Sequence, residues 1–429
     1  MNNNNTSQSY EEALEWLFGQ LPMFSRIGAA AYKPGLERCN ALALQFGNPE
    51  RKFKSIHIAG TNGKGSTSSL IAATLQAEGY KTALYTSPHL VDFRERIRIN
   101  GKMIPKQRVM RFINDWRMQA DSWSDKPSFF ELTMMMAFCW FAEENVDYAV
   151  IEVGMGGRLD STNIITPELC VITNISKDHT QFLGDTLEKI AMEKAGIIKA
   201  GVPVVIGEAE GDVEKVFRLK AAEMNAPLRE AYNETDNAAN EALTTTLHGD
   251  YQRKNVNTAR IAIEELRSIG ITISDKALHR GFAEVENLTG FRGRWTVVSK
   301  KPLTICDTGH NEAGLSYNMA QLRRLLNDRP DGKLRIVLGF VADKDVEHIL
   351  PYFPEDAEYY LTQAQIPRAL PVEKLAEMAE SRSWLCHPYP TVKEAYKAAK
   401  EDASAKDVIF VGGSTFIVAD FLAFIDSEK

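Results

Sequence analysis

The chain is poor in features that mark several large protein classes. Its five cysteines, Cys39, Cys139, Cys170, Cys306 and Cys386, are odd in number, scattered, and contain no CxxC pair. Neither a disulfide framework nor a zinc site is expected, and a reducing compartment, the cytoplasm, fits best. Positive charge is not in excess: the formal net charge is −7. Such a balance gives no general attraction for nucleic acid or for an anionic membrane, and it points to small-molecule partners. Long hydrophobic runs are also missing. The most apolar stretch, Leu132 to Ala142, is flanked by Glu131, Glu143 and Glu144. It is far shorter than the roughly 20 residues that cross a bilayer, so it reads as a buried helix. The opening MNNNNTSQSYEE has neither a basic region nor an apolar core and reads as a frayed tail without an export signal. No repeat with a solenoid period is present.

What the chain does contain is alternation. Short β-rich runs at Ser55 to Ala59, Thr82 to Thr86, Tyr148 to Val153, Cys170 to Asn174 and Val202 to Gly207 are separated by segments with apolar residues at helical spacing, such as Ser66 to Glu78 and Leu187 to Ile198. Alternating β and α units predict an α/β fold with a mainly parallel sheet. After the Gly- and Arg-rich stretch Gly290 to Arg294 a second series begins, at Leu303 to Cys306, Leu334 to Gly339, Tyr359 to Thr362 and Val408 to Val411. At 429 residues the chain exceeds one hydrophobic core, and a boundary near residues 292 to 301 predicts two unequal α/β domains.

The segment after the first run, Gly60-Thr61-Asn62-Gly63-Lys64-Gly65-Ser66, joins a strand to a helix start. Glycines let several backbone N–H groups converge on an anion, the helix N-terminus adds partial positive charge, and Lys64 supplies a cation for the β and γ phosphates. Ser66 stands where a hydroxyl reaches magnesium. The spacing is not the common GxxxxGK[ST]: two residues separate Gly60 from Gly63, and Gly65 intervenes before the hydroxyl. Glu152 ends the run Tyr148 to Val153 and precedes Gly154, Gly156 and Gly157. A carboxylate at the C-terminal edge of such a strand occupies the usual ligand crevice of an open sheet and suits magnesium. His179 follows Cys170 to Asn174 and falls on the same edge. Its spacing alone describes a surface histidine, just as the spacing of Lys194 describes an exposed helix lysine.

GTNGKGS followed by Thr86-Ser87-Pro88-His89-Leu90 resembles the folylpolyglutamate synthase and dihydrofolate synthase family of the Mur ligase superfamily. The resemblance continues through Glu152 to Asp160, Asp178-His179-Thr180, Leu183 to Thr186, Glu193 to Ile197 and Asp307 to Asn311, over about residues 35 to 415. It implies a P-loop Mur-ligase-like ATPase domain, residues 1–295, that also holds the folate or pteroate site. A smaller Rossmann-like glutamate-ligase domain, 296–429, follows. ATP contacts are implied for Thr61, Asn62, Gly63, Lys64, Gly65, Ser66, Asn255, Arg294 and Asp307, and metal contacts for Ser66, Ser87, Glu152 and His179. The resemblance implies catalytic roles for Lys64, Lys194 and His310, with Lys194 matching a lysine that related enzymes carry carbamylated by CO2. Pteroate or folate contacts fall on Ser128, Leu159, Asp160 and Ser161. Gly339, Asp343 and Lys344 match a loop where glutamate docks.

Two Mg2+ ions, ATP as cosubstrate and K+ are the implied cofactors, and the implied state is a monomer. The implied reaction is ATP-dependent: dihydropteroate or a reduced folate forms an acyl phosphate that the amine of L-glutamate attacks. Thr296, Thr308, Gly309 and Glu312 depart from the family's GRxE and DGAHNP patterns, which puts local hydrogen bonding and loop stiffness in question there. A monofunctional folylpolyglutamate synthase remains an alternative. A muramyl amino-acid ligase is disfavoured because only 59 residues precede Gly60. A non-ligating nucleotide switch is disfavoured by Glu152, His179, Lys194 and Arg294 together.

Overall fold

The computed structural model describes residues 9–21, 33–234, 243–382 and 384–428. Most of the tail, Met1 to Gln8, lies outside the described residues. Its last residues are ordered instead of frayed: Ser9 caps a helix over Tyr10–Gln20, with a reciprocal box in which Glu12 accepts the Ser9 N–H.

Two sheets organise the chain. The first runs β4 (Lys102–Met103), β3 (Ile97–Ile99), β2 (Thr82–Tyr85), β5 (Tyr148–Glu152), β1 (Lys54–Ala59), β6 (Leu169–Ile172), β7 (Val204–Ile206), β8 (Leu228–Glu230). From β2 to β8 every pairing is parallel, whereas β3 and β4 add an antiparallel edge. The second runs β13 (Leu385–Pro388), β12 (Glu358–Leu361), β11 (Leu334–Leu338), β14 (Val408–Gly412), β10 (Leu303–Cys306), β9 (Thr296–Lys300). Only β9 is antiparallel there. The expected α/β architecture is thus present. Strands β3, β4, β8, β9 and β13 were not expected, because they are short or half-exposed and lack the continuous apolar signature of a buried parallel strand.

The alternation of side chains shows how the second sheet is covered. Ile336, Leu338, Tyr359, Leu361, Val408 and Phe410 join one apolar cluster, while Val337, Tyr360, Ile409 and Val411 join another. Successive strand residues point to opposite faces, so both faces carry helices and the strands read as unbroken hydrophobic runs. In the first sheet the run around Leu132 lies within the helix Phe129–Glu143, buried from Leu132 to Phe141. A helix apolar on all sides belongs in a core. Among the described residues no helix is long and apolar enough to cross a membrane.

The chain divides into two compact units. The first comprises residues 1–88, 94–244 and 256–290, and the second residues 89–93, 245–255 and 291–429.

Candidate functional site

In the first unit, the end of β1 delivers the glycine loop. Gly60 has φ +144°, and a Cβ there would lie 1.8 Å from Thr173 Oγ1, so only glycine fits. Gly63, with φ 83°, is the N-cap of the helix Lys64–Glu78. The loop is braced from the segment after β6. Asn174 O accepts the Thr61 N–H at 2.9 Å, Asn174 Oδ1 accepts the Asn62 N–H at 2.9 Å, and Thr173 Oγ1 donates to Asn62 O at 2.5 Å. Ser176 closes the brace: its carbonyl accepts the Thr61 hydroxyl at 3.1 Å. These three residues were not singled out in the sequence, although they immediately precede Asp178-His179. They fix the backbone that would face phosphate.

Lys64 folds over this loop and donates to Gly60 O at 3.0 Å and Thr61 O at 3.1 Å. A second ammonium reaches the same carbonyl, since Lys194 Nζ lies 2.9 Å from Gly60 O. Helical spacing alone describes Lys194 as exposed, yet it is 4% exposed. The glycine turn after β5 packs on the backbone of this helix, and the side chain reaches the Gly60 carbonyl. A Cβ on Gly157 would lie 2.7 Å from Glu193 O, so only glycine lets this turn press against the helix Leu187–Ala195. Burial first, and repulsion from Lys64 second, push the Lys194 amine down to about 7.

Glu152, at the end of β5, accepts the Ser87 N–H at 3.0 Å and is almost fully buried. Two of the expected metal-site residues are therefore adjacent, and Ser66 lies buried in the first turn of the helix Lys64–Glu78. Among the described residues no group of three or more His, Cys, Asp and Glu side chains is placed to hold a metal. A donor set of one carboxylate and serine hydroxyls, completed by phosphate and water oxygens, suits magnesium, which keeps several waters and takes oxygen ligands. His179 is the one nitrogen donor proposed. It sits at φ 51°, in the left-handed region that is uncommon outside glycine. Asp178 Oδ1 accepts its backbone N–H at 2.9 Å, and Asp178 Oδ2 lies 3.9 Å from its Nε2.

The expected pteroate residues lie on two other elements of this unit. Ser128 caps the helix Phe129–Glu143, accepting the Glu131 N–H at 3.2 Å while Glu131 accepts the Ser128 N–H at 2.5 Å. Glu131 is buried and paired with Arg38 Nε at 3.0 Å, a long-range partner that the sequence did not reveal. Phe129 is core, 4% exposed, whereas Phe130 is half-buried with Gly154 seated against its ring. Leu159 and Ser161 are half-buried on either side of buried Asp160. Asp160 caps the short helix Ser161–Ile164 and accepts N–H groups from Met155 at 2.9 Å and Thr162 at 3.0 Å.

In the second unit the loop after β10 is organised by Asp307, 2% exposed. Its Oδ2 accepts the Tyr251 hydroxyl at 2.6 Å and the Trp295 N–H at 2.7 Å; its Oδ1 accepts Gly309 N–H at 2.7 Å and Asn318 Nδ2 at 2.9 Å. Burial, and then the charge of Asp307, hold the Tyr251 phenol well above its ordinary pKa. Half-buried Arg294 precedes Trp295, which has φ 49°, an outlier for a bulky residue. Thr296 fills the family's Glu position without losing an acceptor: its Oγ1 accepts the Gly293 N–H at 2.8 Å. Gly309 fits against Asn318 and Asp307, and Glu312 accepts the Tyr352 hydroxyl. His310 Nδ1 lies 3.0 Å from Thr308 O, which fixes Nδ1 as the protonated nitrogen. Asn255 donates to Gln252 Oε1 at 2.8 Å in the first turn of the helix Gln252–Ser268. Asp343 pairs with Arg368.

Comparisons with known proteins cover nearly the whole chain. The Mur ligase middle domain matches residues 58–273, and the glutamate ligase domain of Mur ligases matches residues 293–415. A dihydrofolate synthase/folylpolyglutamate synthase of Bacillus subtilis is 32% identical, with 96% of this chain and 98% of the relative covered. The solved E. coli FolC in complex with DHPP and ADP superposes with a TM-score of 0.83 at 30% identity, covering 97% of this chain and 98% of that one. A bifunctional folylpolyglutamate synthase/dihydrofolate synthase with Mn, AMPPNP and L-glutamate bound gives a TM-score of 0.78 at 29% identity, covering 96% and 98%. With near full-length likeness and both Mur ligase domains in order, the chain belongs to the dihydrofolate synthase/folylpolyglutamate synthase family of ligases.

Proposed function

We propose that the chain is an ATP-dependent ligase that joins L-glutamate to dihydropteroate and to the γ-carboxyl of folyl glutamates. The observation that carries this reading is the convergence of Lys64 and Lys194 on the Gly60 carbonyl, beside a loop preorganised for phosphate. Two lysines on one carbonyl oxygen at the start of a helix create a demand for an anion that Asp178 and Asp160 offset only in part at Lys194. A nucleotide triphosphate meets that demand.

In the reaction a carboxylate oxygen attacks the γ-phosphorus of ATP and the bond to ADP breaks. The glutamate amine then attacks the acyl carbon, loses a proton, and expels phosphate to leave an amide. Lys64 and the backbone N–H groups at the start of the helix Lys64–Glu78 hold the triphosphate, and Arg294 neutralises charge on the group in transfer. His310, held through its Nδ1–H on the Thr308 carbonyl, serves the reacting phosphate. Asn255 and Asp307 order the nucleotide's side of the second unit. Ser66, Ser87, Glu152 and His179 would hold magnesium, which when bound neutralises the phosphoryl oxygens. Ser128, Leu159, Asp160 and Ser161 take the pteroate or folate, and Gly339, Asp343 and Lys344 the incoming glutamate.

Lys194 is suited to carbamylation, because near neutral pH about half of an amine with a pKa of about 7 is uncharged. The neutral nitrogen attacks CO2, the N–C bond forms as one C–O π bond opens onto oxygen, the nitrogen loses a proton, and a neutral amine becomes an anion beside Lys64. The chain works as a monomer in the cytoplasm. The test is to incubate it with ATP, magnesium, potassium and glutamate against dihydropteroate and reduced folates separately, and to identify products by mass. One added glutamate on each acceptor is expected. Products from folates alone leave a monofunctional synthase, and ATP hydrolysis without either product overturns ligation.

A further inference from the structure

Asp160 is held by more than its own loop. Thr162 Oγ1 donates to Asp160 Oδ1 at 2.5 Å, and His57 Nε2 lies 2.9 Å from the same Thr162 oxygen. His57 belongs to β1, the strand that feeds the phosphate loop, and both His57 and Thr162 have 0% exposure. The two partners are 105 residues apart in the chain.

The hydrogen-bond direction follows from counting protons. Asp160 accepts backbone N–H groups on both oxygens, Met155 on Oδ2 and Thr162 on Oδ1, as a carboxylate does. The Thr162 hydroxyl has one proton and gives it to Oδ1. Its oxygen is then an acceptor, so His57 must carry its proton on Nε2. His57 Nδ1 has no partner among the described residues, so the ring gains nothing from a second proton. Burial, and then Lys199, push the imidazole down to about 3, which keeps it neutral. His57 is therefore a fixed, one-way donor. It takes no part in proton transfer.

We infer that His57 and Thr162 are positioning residues for the pteroate and folate site. Through the chain His57 Nε2–H to Thr162 Oγ1–H to Asp160, they lock the loop that presents Leu159 and Ser161. The Asp160 carboxylate ties the start of this loop at Met155 to its end at Thr162. Without the Thr162 hydroxyl, Asp160 keeps its backbone donors but loses the contact that sets its rotamer, and the loop is free to shift. Small misplacements in such a site cost far more in binding and turnover than in stability.

This inference rests on the assignment of that loop to pteroate and folate, and its test separates the two. Thr162→Val replaces the hydroxyl with a methyl of similar size, and Thr162→Ser restores it. His57→Leu removes the donor, and His57→Gln returns an N–H close to the Nε2 position. Steady-state KM is measured for dihydropteroate, a reduced folate, ATP and glutamate, with melting temperatures alongside. Thr162→Val is expected to raise KM for both pteroate and folate about tenfold or more, with KM for ATP and glutamate within about twofold. His57→Leu is expected to raise the same two KM values, whereas Thr162→Ser and His57→Gln stay close to the wild type. His57→Leu adds little to Thr162→Val in the double variant, because both break one chain.

Should His57→Leu fail to fold, the Thr162 pair carries the test. Variants that fold and leave KM for pteroate and folate unchanged, or that move all four KM values alike, overturn the positioning role while the function stands. A wild-type protein that ligates neither acceptor overturns the loop's assignment and the positioning role with it.

Discussion

At the end of β1 two ammonium groups share one carbonyl oxygen, whereas at the end of β10 one carboxylate gathers four donors. Both loops follow parallel strands at the edge where open α/β sheets take ligands. Their chemistry is opposite. The first leaves Lys194 destabilised by burial and by Lys64, with Asp178 and Asp160 offsetting part of that cost, and an anion or a carbamate relieves it further. The second is complete without any ligand, because Tyr251, Trp295, Gly309 and Asn318 satisfy the carboxylate. A ligand-holding loop and a loop-holding residue are thus distinguished by what remains unbalanced in the protein alone.

Asp307→Asn gives the largest effect on this comparison. The amide keeps the shape but turns its nitrogen toward two of the four donors, leaving buried N–H or O–H groups without acceptors. Each such group costs about 1–3 kcal/mol, so a loss of about 2–6 kcal/mol is expected in the ligand-free protein. Denaturant or thermal unfolding checks it. Unchanged stability together with weakened ATP binding would mean that Asp307 serves the nucleotide directly, and the contrast between the loops would collapse.

Lys194→Met sharpens the other side. The folded amine has its pKa lowered from 10.5 to about 7, so between those values the unfolded chain binds more protons than the folded one. Stability of the wild type should rise with pH through that window by about 1.4 kcal/mol per unit, and flatten below about 7, where the buried charge is a cost. In Lys194→Met this slope is absent, and the variant matches or exceeds the wild type at pH 6. Unfolding in CO2-free buffer without nucleotide or metal measures both. Removing the neighbouring charge in Lys64→Met should move the flattening point to higher pH; a profile unchanged by Lys64→Met would show that the two lysines do not communicate.

The phosphate loop and the alternation of strands were legible in the sequence because each is written in consecutive residues. Glu152 was legible for the same reason, as the last residue of an apolar run followed by glycines. The partners that hold these residues in place were not. Asn174 and Ser176 brace the loop through backbone geometry that any residue string can hide, and Glu131 meets Arg38 across 93 positions. Lys194 sits at a spacing that belongs equally to an exposed helix face, and its buried partner, the Gly60 carbonyl, lies 134 positions away in the chain. The edge strands β3, β4 and β9 escaped notice because antiparallel additions need neither length nor continuous hydrophobicity.

Thr296 offers the smallest and most local test. A Glu in this position would provide a charged acceptor, and the hydroxyl here provides a neutral one for the same turn, receiving the Gly293 N–H at 2.8 Å. Gly293 has φ 83°, and the turn encloses Arg294 ahead of Trp295 and its bond to Asp307. Removing one neutral hydrogen bond in Thr296→Ala should cost about 0.5–1.5 kcal/mol, well under the loss expected for Asp307→Asn. Because four Asp307 contacts still hold the neighbouring backbone, Arg294 should keep its place and turnover should fall no more than about threefold, under half a decade in rate. A larger drop in turnover at unchanged stability would assign the aim of Arg294 to this turn instead of to Asp307, and would move part of the second loop from the self-satisfied class to the functional one.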